Sequence, residues 1–185
     1  MMERLNPNAR SDPYGSRFNR TQSPLRAGSV PWLSIMLGSL LPVLLIADVM
    51  PLMPQLGLLM LLAWRMVRPG LLPLWAGAPL GAFDDLFSGQ PFGSAVLLWS
   101  LALIAIELIE TRFPWRGFWQ DWFTAGLAAL LVWLAAIMLS GATVTPDLLV
   151  VALPQALLSV LLYPILARMV ASLDQFRLAR ARRIG

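Results

Sequence analysis

The run DWFTAGLAALLVWLAAIMLS, Asp121 to Ser140, carries a single charged residue, at its first position. A helix that crosses the hydrocarbon core of a bilayer needs about 20 predominantly apolar residues. This run meets that length without a break, and so it reads as a transmembrane helix. Turn signals bound it on both sides, at Arg112 to Gly117 and at Ser140 to Pro146. Working outward, the next apolar runs are Gly93–Ile109, with Glu107 near its end, and Pro146–Val170, interrupted by Pro154 and Pro164. Beyond these lie Leu71–Ser88, which holds Asp84 and Asp85, then Pro51–Met66, which is short and opened by Pro51 and Pro54, and finally Val30–Met50. The remaining breaks are Arg68-Pro69-Gly70 and Ser88-Gly89-Gln90-Pro91-Phe92-Gly93. The predicted fold is an all-α integral membrane protein, a bundle of about six transmembrane helices.

Composition agrees. Charged residues make up 13% of the chain and hydrophobic ones 58%, with a mean hydropathy of +0.69. A soluble domain carries about 25% charged residues, so this chain lacks the polar surface to cover a globule of its length, and lipid is the expected solvent. Residues 1–29 differ: Arg4, Arg10, Arg17, Arg20 and Arg26 are set among Pro, Ser, Asn and Gly. That stretch reads as a disordered cytoplasmic arm. It is too long and polar before the first apolar run to be a cleavable signal peptide. The expected organisation is the arm at 1–29, a helical membrane domain at 30–170, and a basic cytoplasmic tail at 171–185.

The arginines set the expected orientation. With the N-terminus in the cytoplasm and six alternating spans, the arm holds five, the turn at 65–70 holds Arg65 and Arg68, the loop at 110–120 holds Arg112 and Arg116, and the tail holds Arg168, Arg177, Arg180, Arg182 and Arg183. That accounts for all 14 basic residues and leaves none outside, the pattern of the positive-inside rule. A five-span arrangement would split them, so the count favours the short second run as a span. Both termini are then cytoplasmic. Trp32, Trp64 and Trp75 fall near the cytoplasmic interface, where amphipathic rings settle, whereas Trp99 and Trp133 fall mid-span as packing residues. Trp115, Trp119 and Trp122 share a helical face with Phe118, opposite Arg116, Gln120 and Asp121. The pattern fits a short helix in the membrane plane or a loop whose aromatics face the bundle.

The chain has no Cys and no His, which removes thiolate metal sites, disulfides and the commonest general base. Without Lys, neither a phosphate-binding P-loop nor a Ser-x-x-Lys pair exists. No catalytic, cofactor or metal residues are expected. Nucleic acid is not an expected partner, because the tail arginines lie beside a membrane, where each contributes about 1 kcal/mol with anionic lipid. Gly77 and Gly81 form a small-xxx-small pair, and Asp84, Asp85 and Ser88 continue that stripe. Three readings fit: a close-packed polar interface with another helix or subunit, a proton or cation site, and carboxylates hydrated at the outer surface ahead of a turn. Asp48 is expected to reach the outer interface. Glu107 and Glu110, one turn apart near Arg112, read as a surface charge cluster or, less simply, as an acid–base pair.

The stretch Arg65-Met66-Val67-Arg68-Pro69-Gly70, followed by Gly81-Ala82-Phe83-Asp84-Asp85-Leu86-Phe87-Ser88-Gly89-Gln90-Pro91-Phe92-Gly93, resembles the rod shape-determining protein MreD family. The family carries an Arg-Pro turn after its second span and a Gly-x-x-x-Asp-Leu-x-Ser-Gly-x-Pro-x-Gly segment closing its third. Asp85 matches the family aspartate and Asp84 is an additional acid. The aromatic loop at 112–120 is in keeping with the family, whereas the Arg-rich arm is not a typical feature of it. The resemblance implies a non-enzymatic subunit of the bacterial inner membrane that organises lateral wall synthesis. Its partners would be an MreC-like bitopic protein and, through it, the MreB filament and peptidoglycan synthases. It also implies a fold similar to the membrane substrate-binding subunit of energy-coupling-factor transporters, from which the alternative follows: a small-solute-binding transport component. The expected partner-interface residues are Arg65, Arg68, Pro69, Gly77, Gly81, Asp84, Asp85, Ser88, Gly89, Pro91 and Gly93.

Overall fold

The computed structural model describes residues 24–46, 54–113, 117–141 and 145–178. The expectations placed on Asp48, on Trp115 and Arg116, on most of the arm and on Arg180, Arg182 and Arg183 lie outside these residues. Among the described residues six α-helices follow one another: α1 (Pro24–Ile46), α2 (Leu56–Val67), α3 (Gly77–Phe87), α4 (Ser94–Arg112), α5 (Phe118–Leu139) and α6 (Pro146–Leu178). A single 3₁₀ turn, Leu74–Ala76, leads into α3. No strand occurs among the described residues.

Among the described residues three helices are long and apolar enough to cross a membrane: α4, α5, and α6 over Leu153–Leu178. Each keeps one face on its neighbours and leaves the other uncovered. On α4, Leu98, Trp99, Ala102, Leu103 and Ile106 are buried while Leu97, Leu101, Ile104 and Leu108 are exposed. A helix apolar on every side is stable only inside a protein or against lipid. Exposed apolar stripes of this extent are foreign to soluble monomers. The protein is therefore a helical membrane protein.

The second run forms α2, 12 residues long, and the third forms the 3₁₀ turn and the 11-residue α3. At 1.5 Å per residue these helices are about 18 and 17 Å long, short of the ~30 Å hydrocarbon core. Prolines account for the shortening. Pro54 precedes α2, and Pro69 and Pro73 delay the start of α3, since proline cannot donate the backbone hydrogen bond that would continue a helix. A short helix is tolerated at membrane depth where protein rather than lipid surrounds its ends. That condition holds for α2: every residue from Gly57 to Met66 is buried, and α1, α4, α5 and α6 all touch it. It is the central post of the bundle.

Three expectations are corrected here. Helix α1 starts at Pro24, inside the stretch assigned to the arm. Phe118, Trp119 and Trp122 do not form a separate in-plane helix but open α5, which runs unbroken to Leu139. The cause lies in α6. Pro164 has no N–H, so the carbonyl of Val160, four residues earlier, loses its helical donor. The Trp122 indole N–H donates to that carbonyl at 3.0 Å, which fixes Trp122 on α6, while Phe118 and Trp119 stay exposed. Lastly, Trp64 is fully buried rather than placed at an interface. Its Nε1 donates to Ser34 Oγ at 2.8 Å, and that hydroxyl donates to the Pro31 carbonyl at 2.8 Å.

Candidate functional site

The charged and polar groups gather at two opposite ends of the bundle. At one end α3 and α4 form a tight antiparallel pair. A Cβ added to Gly81 would lie 2.5 Å from the carbonyl oxygen of Ala95, and one added to Gly77 would lie 2.9 Å from the Ser100 backbone. Only glycine permits so close a backbone approach. The glycine stripe is thus filled by α4 of the same chain.

Asp85 completes that pair. The first N–H groups of a helix have no partner within it, and here the carboxylate of the preceding helix supplies one. Gly93 N donates to Asp85 Oδ2 at 2.8 Å, Ala95 N to Oδ1 at 2.9 Å and Val96 N to Oδ2 at 3.3 Å. The Ser94 hydroxyl donates to Oδ1 at 3.2 Å, and Ser94 N donates to the Pro91 carbonyl at 3.0 Å. A carboxylate has about four acceptor positions, and these four donors take them. Negative charge at this point also opposes the positive end of the helix dipole. Gly93 makes the arrangement possible, because its φ of 97° is open to glycine alone at little cost.

Asp85, Gly77 and Gly81, expected to meet a partner or an ion, are therefore spent inside the fold. Asp84 is buried beside Ser39 of α1. The Ser39 Oγ beside it is fully enclosed. Ser88, Gly89, Pro91 and Phe92 stand exposed at the turn, with Phe92 at 73% exposure and Leu86 and Phe87 beside it also open. Of the motif, this turn is the part a partner can reach.

At the other end the last turn of α2 carries an ion-pair network. Arg65 is only 3% exposed. Its guanidinium pairs with Glu107 and, at 2.7 Å, with Glu110, both on α4. Arg68 Nε donates to Asp174 of α6 at 2.9 Å, and Arg177 Nε donates to the same carboxylate at 2.7 Å. The Arg177 guanidinium lies over the Trp64 ring, 5.6 Å from its centroid. Three arginines meet three carboxylates, so the network is neutral overall and ties α2 to α4 and α6. Pro69 is exposed beside it. Cations in the last turn of α2 also complement its dipole.

This network corrects two expectations. Glu107 and Glu110 are not a surface cluster with Arg112 but the counter-ions of a buried Arg65. Arg177 is not free for lipid but buried against Asp174 and Trp64. Asp174 was missed altogether. A signal was present: it is the one acid in the basic tail, with Arg177 three residues on, a spacing that places both on one helix face.

Among the described residues no group of His, Cys, Asp and Glu is arranged to hold a metal ion. A small void lined by Gln55, Trp133, Gln155 and Ser159, among others, measures about 10 Å³, the space of about one water. The chain matches no protein-family model, no curated protein and no solved structure.

Proposed function

We propose that this chain is a non-enzymatic scaffold subunit of the bacterial inner membrane. It serves the cell-wall elongation complex that maintains rod shape, in the manner of the MreD family that its motif resembles. One observation carries the reading. The residues on which the resemblance rests, Gly81 through Gly93, act as a single unit: Gly81 admits α4, Asp85 caps it and Gly93 turns into it. A motif in which three of the fixed positions cooperate in one helix junction is poorly explained as a chance match of apolar sequence.

The rest of the proposal follows from that reading. All six helices traverse or line the membrane, both termini are cytoplasmic, and the arginine network is the cytoplasmic end. The fold is similar to the substrate-binding subunit of energy-coupling-factor transporters. The exposed turn Ser88–Phe92 and the surface around Arg68 and Pro69 meet an MreC-like bitopic protein, and through it the MreB filament and peptidoglycan synthases. The transport alternative is less well supported, because α2 fills the bundle centre with Leu58, Leu59, Leu61, Leu62 and Trp64 where a solute would sit.

The test is purification from native membranes of the encoding bacterium, with identification of bound proteins, alongside cell-shape imaging. Wall-elongation proteins in the parent sample and their loss in Phe92→Ser, with rounded cells, are expected. Recovery of transporter ATPases, or rod shape untouched by deletion of the gene, overturns the proposal.

A further inference from the structure

Helices α4 and α5 do not interlock along their whole length. Between them runs an open apolar groove of about 410 Å³, lined by Leu98, Ala105 and Ile109 on α4 and by Phe123, Ala128 and Ala135 on α5. Small side chains on the facing stripes create it: an alanine leaves space that a leucine would fill. We infer that this groove holds one acyl chain of an anionic phospholipid, whose phosphate is met by Arg112.

Length selects the occupant. From Leu98 to Ile109 the groove extends about 17 Å at 1.5 Å per residue. A partner transmembrane helix must cover a core of about 30 Å, whereas one leaflet is about half of that. The groove is the length of a single acyl chain and leaves half of a helix uncovered.

Charge selects the headgroup. On α4 the groove stripe at Leu98, Ala105 and Ile109 continues by one turn to Arg112, since residues three and four apart share a helix face. Arg112 is exposed and has no ion pair among the described residues; the nearby Glu107 and Glu110 are both engaged by Arg65. On α5 the stripe at Phe123 continues back to Trp119, an exposed indole of the kind that settles at headgroup depth. A cation and an amphipathic ring thus frame the mouth of an apolar slot.

Native mass spectrometry of the purified full chain tests this, after exchange into micelles containing phosphatidylglycerol or phosphatidylcholine. The parent is expected to keep one lipid through delipidation, with a preference of about fivefold for the anionic headgroup. Ala105→Phe, which fills the groove from an exposed position, is expected to lose the retained lipid of both classes while melting as the parent does. Arg112→Gln should keep one lipid and lose the preference. This second variant lies on the surface and carries the test alone if Ala105→Phe does not fold. Unchanged retention in Ala105→Phe, or an unchanged preference in Arg112→Gln, overturns the inference. So does a co-purified polypeptide that Ala105→Phe displaces while lipid retention stays the same.

Discussion

Asp85→Ala would remove the acceptor for three backbone N–H groups and one hydroxyl at the start of α4. Ala95 N–H is buried and cannot turn to water, and a stranded buried donor costs about 1–3 kcal/mol. Gly93 and Val96 are half-buried, so together their amides add about the value of one ordinary cap, ~1 kcal/mol. The lost attraction between the carboxylate and the helix dipole adds ~0.5 kcal/mol or more. The expected loss is about 3–4 kcal/mol. In a chain of this size each kcal/mol lowers the melting temperature by about 2–4 °C, so Asp85→Ala should melt on the order of 10 °C below the parent in detergent. Asp85→Asn keeps one carbonyl oxygen and should fall about halfway between, because half of the acceptor positions survive without the charge. Hydrogen exchange separates this cause from a general loss of packing: the amides of Gly93, Ala95 and Val96 should exchange faster in Asp85→Asn while those in the middle of α5 stay protected. An Asp85→Ala protein melting within about 2 °C of the parent would refute the capping argument.

Other substitutions probe the remaining contacts. Trp122→Phe strands the Val160 carbonyl and is expected to cost about 1–3 kcal/mol; adding Pro164→Ala restores a helical donor to that carbonyl, and a double-mutant cycle in thermal melts should show the recovery. Arg65→Met leaves Glu107 and Glu110 without their cation and is expected to destabilise by about 3 kcal/mol, whereas Arg68→Gln, at a more exposed pair, should cost less than about 1 kcal/mol. Equal losses in the two variants would show that the burial of Arg65 is not what matters. Gly81→Ala places a Cβ against the Ala95 carbonyl and should cost about 1–3 kcal/mol through overpacking; folded yield by size-exclusion chromatography measures it.

The sequence made some features legible and hid others for definite physical reasons. The clean apolar run at Asp121–Ser140 matches α5 to one residue at its end and three at its start, because length and hydropathy depend on local composition alone. The turn at Ser88–Gly93 was legible from its glycines and proline. The role of Asp85 was not: the position of a carboxylate on a helical stripe is readable, but the donors that meet it come from the next helix, and their geometry depends on how closely Gly81 lets that helix approach. The aromatic face of Trp122 fits a membrane-plane helix or a bundle-facing loop for a similar reason. Its partner is a carbonyl freed by a proline 42 residues further along, and a period of amphipathicity says nothing about what lies opposite. Arg65 stands out in an apolar run, yet its acids lie 42 and 45 residues away, and in the sequence their nearer cation is Arg112.

The sheathed position of α2 also bears on how the chain enters the membrane. Synthesis proceeds from the N-terminus, so Arg65 emerges long before Glu107 and Glu110, and Arg68 precedes Asp174 by 106 residues. A buried arginine without its counter-ions costs about 3–5 kcal/mol, and a 12-residue helix is too short to span the hydrocarbon core on its own. This helix is therefore expected to wait at the lipid–water boundary, or beside the insertion machinery, until α4 and then α6 are made. Chains arrested before residue 146 should leave α2 open to protease, and full-length chains should shield it. The bundle would be closed from the outside in by its last helix, so that any lesion in α6 is felt first at the centre.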